Sequence, residues 1–233
     1  MQRSTLVLVV LALWLGEAVP AQAGFVLSTL GKETGPIAPW GTPDSGASPT
    51  YGQLFTAPVG NSNLQSLTFE VSSSGGTTIP FQAYVYAWNG TAVTGNPLFV
   101  SSPQSVVTSG GSFSQVTVAT PNTQLTPGSQ YVALFSTIGF PGSNATGAMQ
   151  LTPLSAYPGG SFEFNNTPRF DGLSGGWNLV GGAPVNFNSN LAFQMAFSPG
   201  TPPPLGAPEP ASLTLLSLGL AGLAGYGLRR RKA

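Results

Sequence analysis

Phe81 to Trp88 reads FQAYVYAW, with Phe81, Ala83, Val85 and Ala87 alternating with Gln82, Tyr84, Tyr86 and Trp88. A period of two places these sets on opposite faces of a strand, one small and apolar, the other aromatic. The same period runs through Gln65 to Val71, where Leu67, Phe69 and Val71 interleave with Ser66, Thr68 and Glu70. Val116 and Val118 alternate with Gln115 and Thr117, and Leu191, Phe193, Met195 and Phe197 with Ala192, Gln194 and Ala196. Tyr131 to Ile138 (YVALFSTI) is almost continuously apolar, as expected of a central strand covered on both faces.

Punctuation falls between these runs. Ser72–Gly76, Asn89-Gly90-Thr91, Ser109–Ser112 and Pro127-Gly128 supply turn residues, and Pro127-Gly128 suits a type II turn leading into Tyr131. Helical signals are almost absent before residue 211. The expectation is an all-β body over residues 24–198: a single, jelly-roll-like β-sandwich of eight to ten short strands. A body of that length buries about 70% of its unfolded surface and needs no disulfide. A β-solenoid is the alternative, but no fixed repeat appears. Residues 24–50, with prolines at 36, 39, 43 and 49, read as an extended arm holding at most one edge strand, and Pro141 to Pro184 as long loops.

Outside the body the composition changes sharply. Of 233 residues only fourteen are charged, seven of each sign, with no His and no Cys. Sites built on Cys or His, and Ser-His-Asp or Cys-His nucleophiles, therefore lack a required residue. Nucleic-acid binding lacks a basic face. Residues 24–210 carry two cations against six anions, whereas Arg229, Arg230, Arg231 and Lys232 crowd the last five positions.

Residues 1–23 read as a signal peptide. Arg3 is followed by the apolar run Leu6 to Leu15, and Ala21 and Ala23 place small side chains where signal peptidase cleaves, leaving Gly24 as the new N-terminus. Ten residues rise about 15 Å as a helix, half a bilayer core. At the other end, Pro199 to Pro210 (PGTPPPLGAPEP) forms a proline-rich spacer over 199–210. Residues 211–228 hold no charge and span about 27 Å as a helix, enough for the inner membrane. The basic tail, 229–233, then stays cytoplasmic, with the body on the far side.

Pro208-Glu209-Pro210, the apolar helix and the basic end, in that order, resemble the PEP-CTERM sorting signal. The resemblance implies a Gram-negative exosortase substrate. The exosortase would recognise Pro208, Glu209 and Pro210 and remove the helix, so that the body, at first anchored in the inner membrane, is left at the cell surface or outside the cell.

The body offers few groups for chemistry, and no enzymatic activity is expected. Glu163 and Asp171, eight residues apart, are the only carboxylates placed to converge, and a surface ion pair with Arg169 accounts for them equally well. Calcium is the one cofactor left open, at Asp171 or Glu163. Sugar stacking has aromatic candidates in Trp88, beside Asn89-Gly90, and in Trp40 and Trp177, which are expected to be partly exposed in Gly/Pro-rich stretches. The opposing reading is that the Tyr84-Tyr86-Trp88 face packs beneath another layer. Two functions stay open: a structural or interaction protein of the extracellular matrix, or a module binding exopolysaccharide through those aromatics.

Overall fold

The computed structural model describes residues 24–200, apart from 142–143, 181–182 and 186. The expected signal peptide, most of the proline-rich spacer, the apolar run 211–228 and the basic tail lie outside the described residues. Among the described residues no helix is long and apolar enough to cross a membrane.

Among the described residues fifteen strands are joined by turns and short 3-10 segments. The first five are β1 (Phe25–Ser28), β2 (Gly35–Gly41), β3 (Thr50–Thr56), β4 (Asn63–Ser73) and β5 (Ile79–Trp88). Then follow β6 (Val93–Val100), β7 (Gln104–Val106), β8 (Ser114–Gln124), β9 (Gln130–Ser136) and β10 (Thr146–Pro153). The chain closes through β11 (Phe162–Asn165), β12 (Leu179–Val180), β13 (Ala183–Pro184), β14 (Ser189–Leu191) and β15 (Phe193–Ser198).

Two antiparallel sheets carry the core. In the first, β4 is flanked on one side by β8 and on the other by β15 and then β10. β1 adds to the edge of β15, and β2 and β14 pair with β10. The second runs β11-β3-β9-β5, with β6 and β7 both on the far edge of β5. β9 is central, and six of its seven residues are buried, as the continuous apolar run requires.

The facing surfaces interlock through aromatic rings. Phe69 of β4 meets Phe135 of β9 edge to face at 4.9 Å, and Phe55 of β3 lies 6.1 Å from Phe197 of β15. Leu67, Phe69 and Val71 from one sheet and Phe81, Ala83 and Val85 from the other belong to the same buried cluster, as their alternation predicts. Rings of this kind contribute about 0.5–1.5 kcal/mol per pair beyond their area.

Three expectations need correction. The strands among the described residues number fifteen rather than eight to ten, because segments read as arm and loop are paired. The arm contributes two strands, β1 and β2, and Trp40 on β2 is fully buried, edge-on to Phe81 at 5.9 Å. Pro141 to Pro184 contains four strands, β10 to β13, all short and framed by Gly and Pro. β10 lies so close to β4 that a Cβ on Gly147 would fall 1.9 Å from the Ser72 carbonyl oxygen.

Candidate functional site

The outer face of β5 is the aromatic one, and the segment following β11 covers it. Tyr84 and Tyr86 stack at 6.0 Å, and Phe170 packs on Tyr84 at 5.2 Å. Burial raises both phenols, Tyr84 to about 12. With Leu173 and Trp177 they form a second buried cluster outside the main core. The covered-face reading of Tyr84 and Tyr86 therefore holds.

Trp88 ends β5 and is only half-buried. Its ring stands perpendicular to that of Trp177, 86° apart with centroids at 5.3 Å. Trp177 is 7% exposed, against the expectation of partial exposure, because it packs in that second cluster and its Nε1 donates to the Leu173 carbonyl at 2.6 Å. Trp40 offers no face to a ligand, since it lies wholly inside the core; the expectation of exposure fails there because β2 folds Trp40 inward. Of the three tryptophans considered for sugar stacking, the structure brings together Trp88 and Trp177.

Both line a cleft of about 640 Å³ whose wall includes Glu163, Ser161, Asn178 and Thr91. β11 is the edge strand beside β3, with Phe162 and Phe164 turned into the core, so Glu163 and Asn165 alternate onto the other face. Glu163 is 6% exposed. Its Oε1 accepts from Ser161 Oγ at 2.6 Å, and its Oε2 accepts from Asn178 Nδ2. Neither donor is a cation, so for Glu163 the alternative of a surface ion pair with Arg169 gives way to a buried carboxylate held by neutral donors. Burial pushes its pKa up, and the two hydrogen bonds oppose the rise without cancelling it.

Asn178 is fixed by the backbone on both sides. It adopts a left-handed conformation, φ 54°, its Oδ1 accepts from Phe164 N at 3.1 Å, and its own N–H donates to the Phe164 carbonyl. Asn tolerates that conformation better than most residues. Across the cleft the turn after Trp88 is set by Asn89 Oδ1, which accepts from the Thr91 and Ala92 amides at 2.9 Å. Ser161, Asn178 and Thr91 carry no sequence signal of their own, because their proximity to Glu163 and Trp88 arises from strand pairing.

Asp171 lies in the 3-10 turn Phe170–Ser174, and its side chain is outside the described residues. Among the described residues no group of three or more His, Cys, Asp or Glu gathers to hold a metal ion. A second cavity of about 490 Å³ opens between Pro39, Pro49, Tyr51 and Phe187. Tyr51 donates to the Pro39 carbonyl there at 3.2 Å, and burial pushes its phenol up to about 12. Pro208, Glu209, Pro210 and Arg229 to Lys232 fall outside the described residues, as do Ala21 and Ala23.

No curated protein matches the chain. A similar solved structure is "The crystal structure of the cysteine protease and lectin-like domains of Cwp84, a surface layer associated protein of Clostridium difficile", at 12% identity and a TM-score of 0.38, over 65% of this chain. The chain spans 32% of that one. The family model for the PEP-CTERM protein-sorting motif matches residues 207–232, enclosing Pro208-Glu209-Pro210, the apolar run and the basic cluster. The chain carries a PEP-CTERM protein-sorting motif, which implies export to the surface or beyond with an exosortase as processing partner.

Proposed function

We propose that this is a structural or interaction protein of the extracellular matrix or exopolysaccharide layer, without enzymatic activity. One observation carries the reading: a folded β body whose last strand ends at Ser198 is followed, nine residues later, by the sorting motif. Signal peptidase removes residues 1–23, and the start of β1 at Phe25, one residue past Gly24, supports that boundary. Residues 211–228 then hold the precursor in the inner membrane while the exosortase acts near Pro208-Glu209-Pro210.

The body is read as a jelly roll. β1-β15-β4-β8 faces β3-β9-β5-β6, and the chain passes repeatedly from one sheet to the other, as a double Greek key does. β2, β10 and β11 elaborate that frame. A sandwich of this kind presents loops and clefts at its rim while its core stays closed, which suits a displayed binding surface.

Replacing Pro208, Glu209 and Pro210 with Ala tests the sorting step. Full-length precursor should accumulate in the inner membrane, since the apolar run and basic end are unchanged. Equal surface yield from wild type and variant would leave a plain membrane anchor.

A second reading, carbohydrate binding, is favoured by the pairing of Trp88 with Trp177 in the wall of a cleft that also holds polar groups.

A further inference from the structure

We infer that the cleft between β11 and the end of β5 binds a neutral sugar residue, with the Glu163 carboxylate accepting its hydroxyls and Trp88 covering its C–H face. The inference rests on the carbohydrate-binding reading and deepens it by naming the acceptor and the class of sugar.

The argument starts from the lone pairs of Glu163. A carboxylate offers about four acceptor sites. Ser161 and Asn178 take one on each oxygen, so both oxygens keep capacity for a further donor. The group is almost wholly removed from bulk water, yet it lines a cleft of about 640 Å³. An ionised group placed there without a cation is costly unless donors reach it. A ligand that completes the site therefore brings hydrogen-bond donors, and neutral hydroxyls match the neutral donors already in place.

The rest of the wall narrows the class. Trp88 is half-buried and set edge-on against Trp177, an apolar surface lining the same cleft as Glu163. Thr91 and Ser161 add hydroxyls along the same cleft. A pyranose ring matches this pairing, since it carries hydroxyl donors around its rim and C–H bonds on its faces. A uronic acid does not match, because its carboxylate would meet Glu163 with no intervening cation. The same group that accepts hydroxyls thus rejects acidic glycans by like-charge repulsion.

The test uses the full chain in detergent micelles, with dextran, laminarin and a galactomannan as neutral probes, polygalacturonate as the acidic probe, and calcium chloride alone. Affinity electrophoresis and titration calorimetry should show binding to at least one neutral glycan and none to polygalacturonate. Glu163→Gln should weaken that binding about tenfold or more, by removing a charge-assisted acceptor. This variant keeps its neighbours satisfied: the new amide can accept from Asn178 and donate to Ser161 Oγ. Trp88→Ala should weaken binding similarly. Unchanged neutral-glycan binding by Glu163→Gln, or a preference for polygalacturonate, would overturn the assigned site and leave the broader carbohydrate reading standing. Failure of every glycan to bind would overturn both. Calcium binding that is lost in Glu163→Gln would make the carboxylate a cation ligand and overturn the inference.

Discussion

Gln53 in β3 and Asn190 in β14 join their carboxamides between the two sheets, Gln53 Nε2 donating to Asn190 Oδ1 at 2.8 Å with both side chains fully buried. The pair is a polar plug between the sheets, one of several buried polar groups. Gln53 Oε1 accepts from the Leu191 amide at 2.8 Å, and Asn190 Nδ2 lies within reach of the Pro153, Leu154 and Tyr157 carbonyls. Asn190 thereby ties the turn after β10 to the sheet.

Asn190→Leu keeps the volume and removes those contacts. Gln53 Nε2 would retain only its bond to the Leu54 carbonyl, Gln53 Oε1 would still accept from the Leu191 amide, and three carbonyls would lose a donor. A loss of about 2–4 kcal/mol is expected from urea unfolding. A change below about 0.5 kcal/mol, the ordinary surface range, would mean that the plug contributes nothing net.

Gly147 should tolerate no side chain. The Cβ of an alanine would sit 1.9 Å from the Ser72 carbonyl oxygen and 2.7 Å from Ile79 Cδ1, and the first of these is backbone inside a sheet. Relief requires β10 to move away from β4. Gly147→Ala should cost at least about 3 kcal/mol, read as a drop in the urea midpoint. Gly175→Ala, where nothing lies within 4 Å, is the control and should change little.

How much of this was legible follows from where each signal resides. β4, β5 and β9 announce themselves because their alternation or continuous apolarity lies within one run of residues. β2 and β10 were hidden because Gly and Pro interrupt them, and a residue such as Gly147 reads as a loop until its close approach to Ser72 is known. Trp40 looked exposed for the same reason, since only its strand's pairing with β10 shows which way it faces. Glu163 could be read as one of two converging carboxylates or as half of a surface ion pair with Arg169; pairing of β11 with β3 and the left-handed turn at Asn178 bury it among neutral donors instead. The sorting motif was legible in full, being a linear signal read without folding.

Trp40 separates volume from hydrogen bonding. Its Nε1 is buried and meets no acceptor among the described residues, while its ring packs on Phe81. Trp40→Ala should cost about 3–5 kcal/mol through the cavity it leaves. Trp40→Phe removes less volume and also removes an unsatisfied donor worth about 1–3 kcal/mol, so it should lose far less. Equal losses in the two variants, measured by thermal unfolding, would show that Nε1 is satisfied and that the indole is needed whole.

Glu163 should make stability depend on pH in a definite direction. Its folded pKa is raised by burial, with Ser161 and Asn178 pulling only partly back. The folded state therefore holds the proton more tightly than the unfolded chain, whose Glu titrates near 4.3. The stabilising contribution is fully present below that value and is lost as pH rises through the elevated folded pKa, because the folded state binds more protons across that window. Glu163→Gln cannot titrate and keeps partners for both of its amide atoms. The comparison is a set of thermal melts of both proteins between about pH 4 and about pH 7. Carboxylates common to the two cancel in the difference. Wild type should lose ground to Glu163→Gln as pH rises, most steeply just above the ordinary glutamate range. A difference that stays flat, or that favours wild type with rising pH, would mean that donors in the cleft stabilise the carboxylate fully. Addition of a bound neutral glycan should then reduce the slope, since its hydroxyls favour the ionised form that burial disfavours.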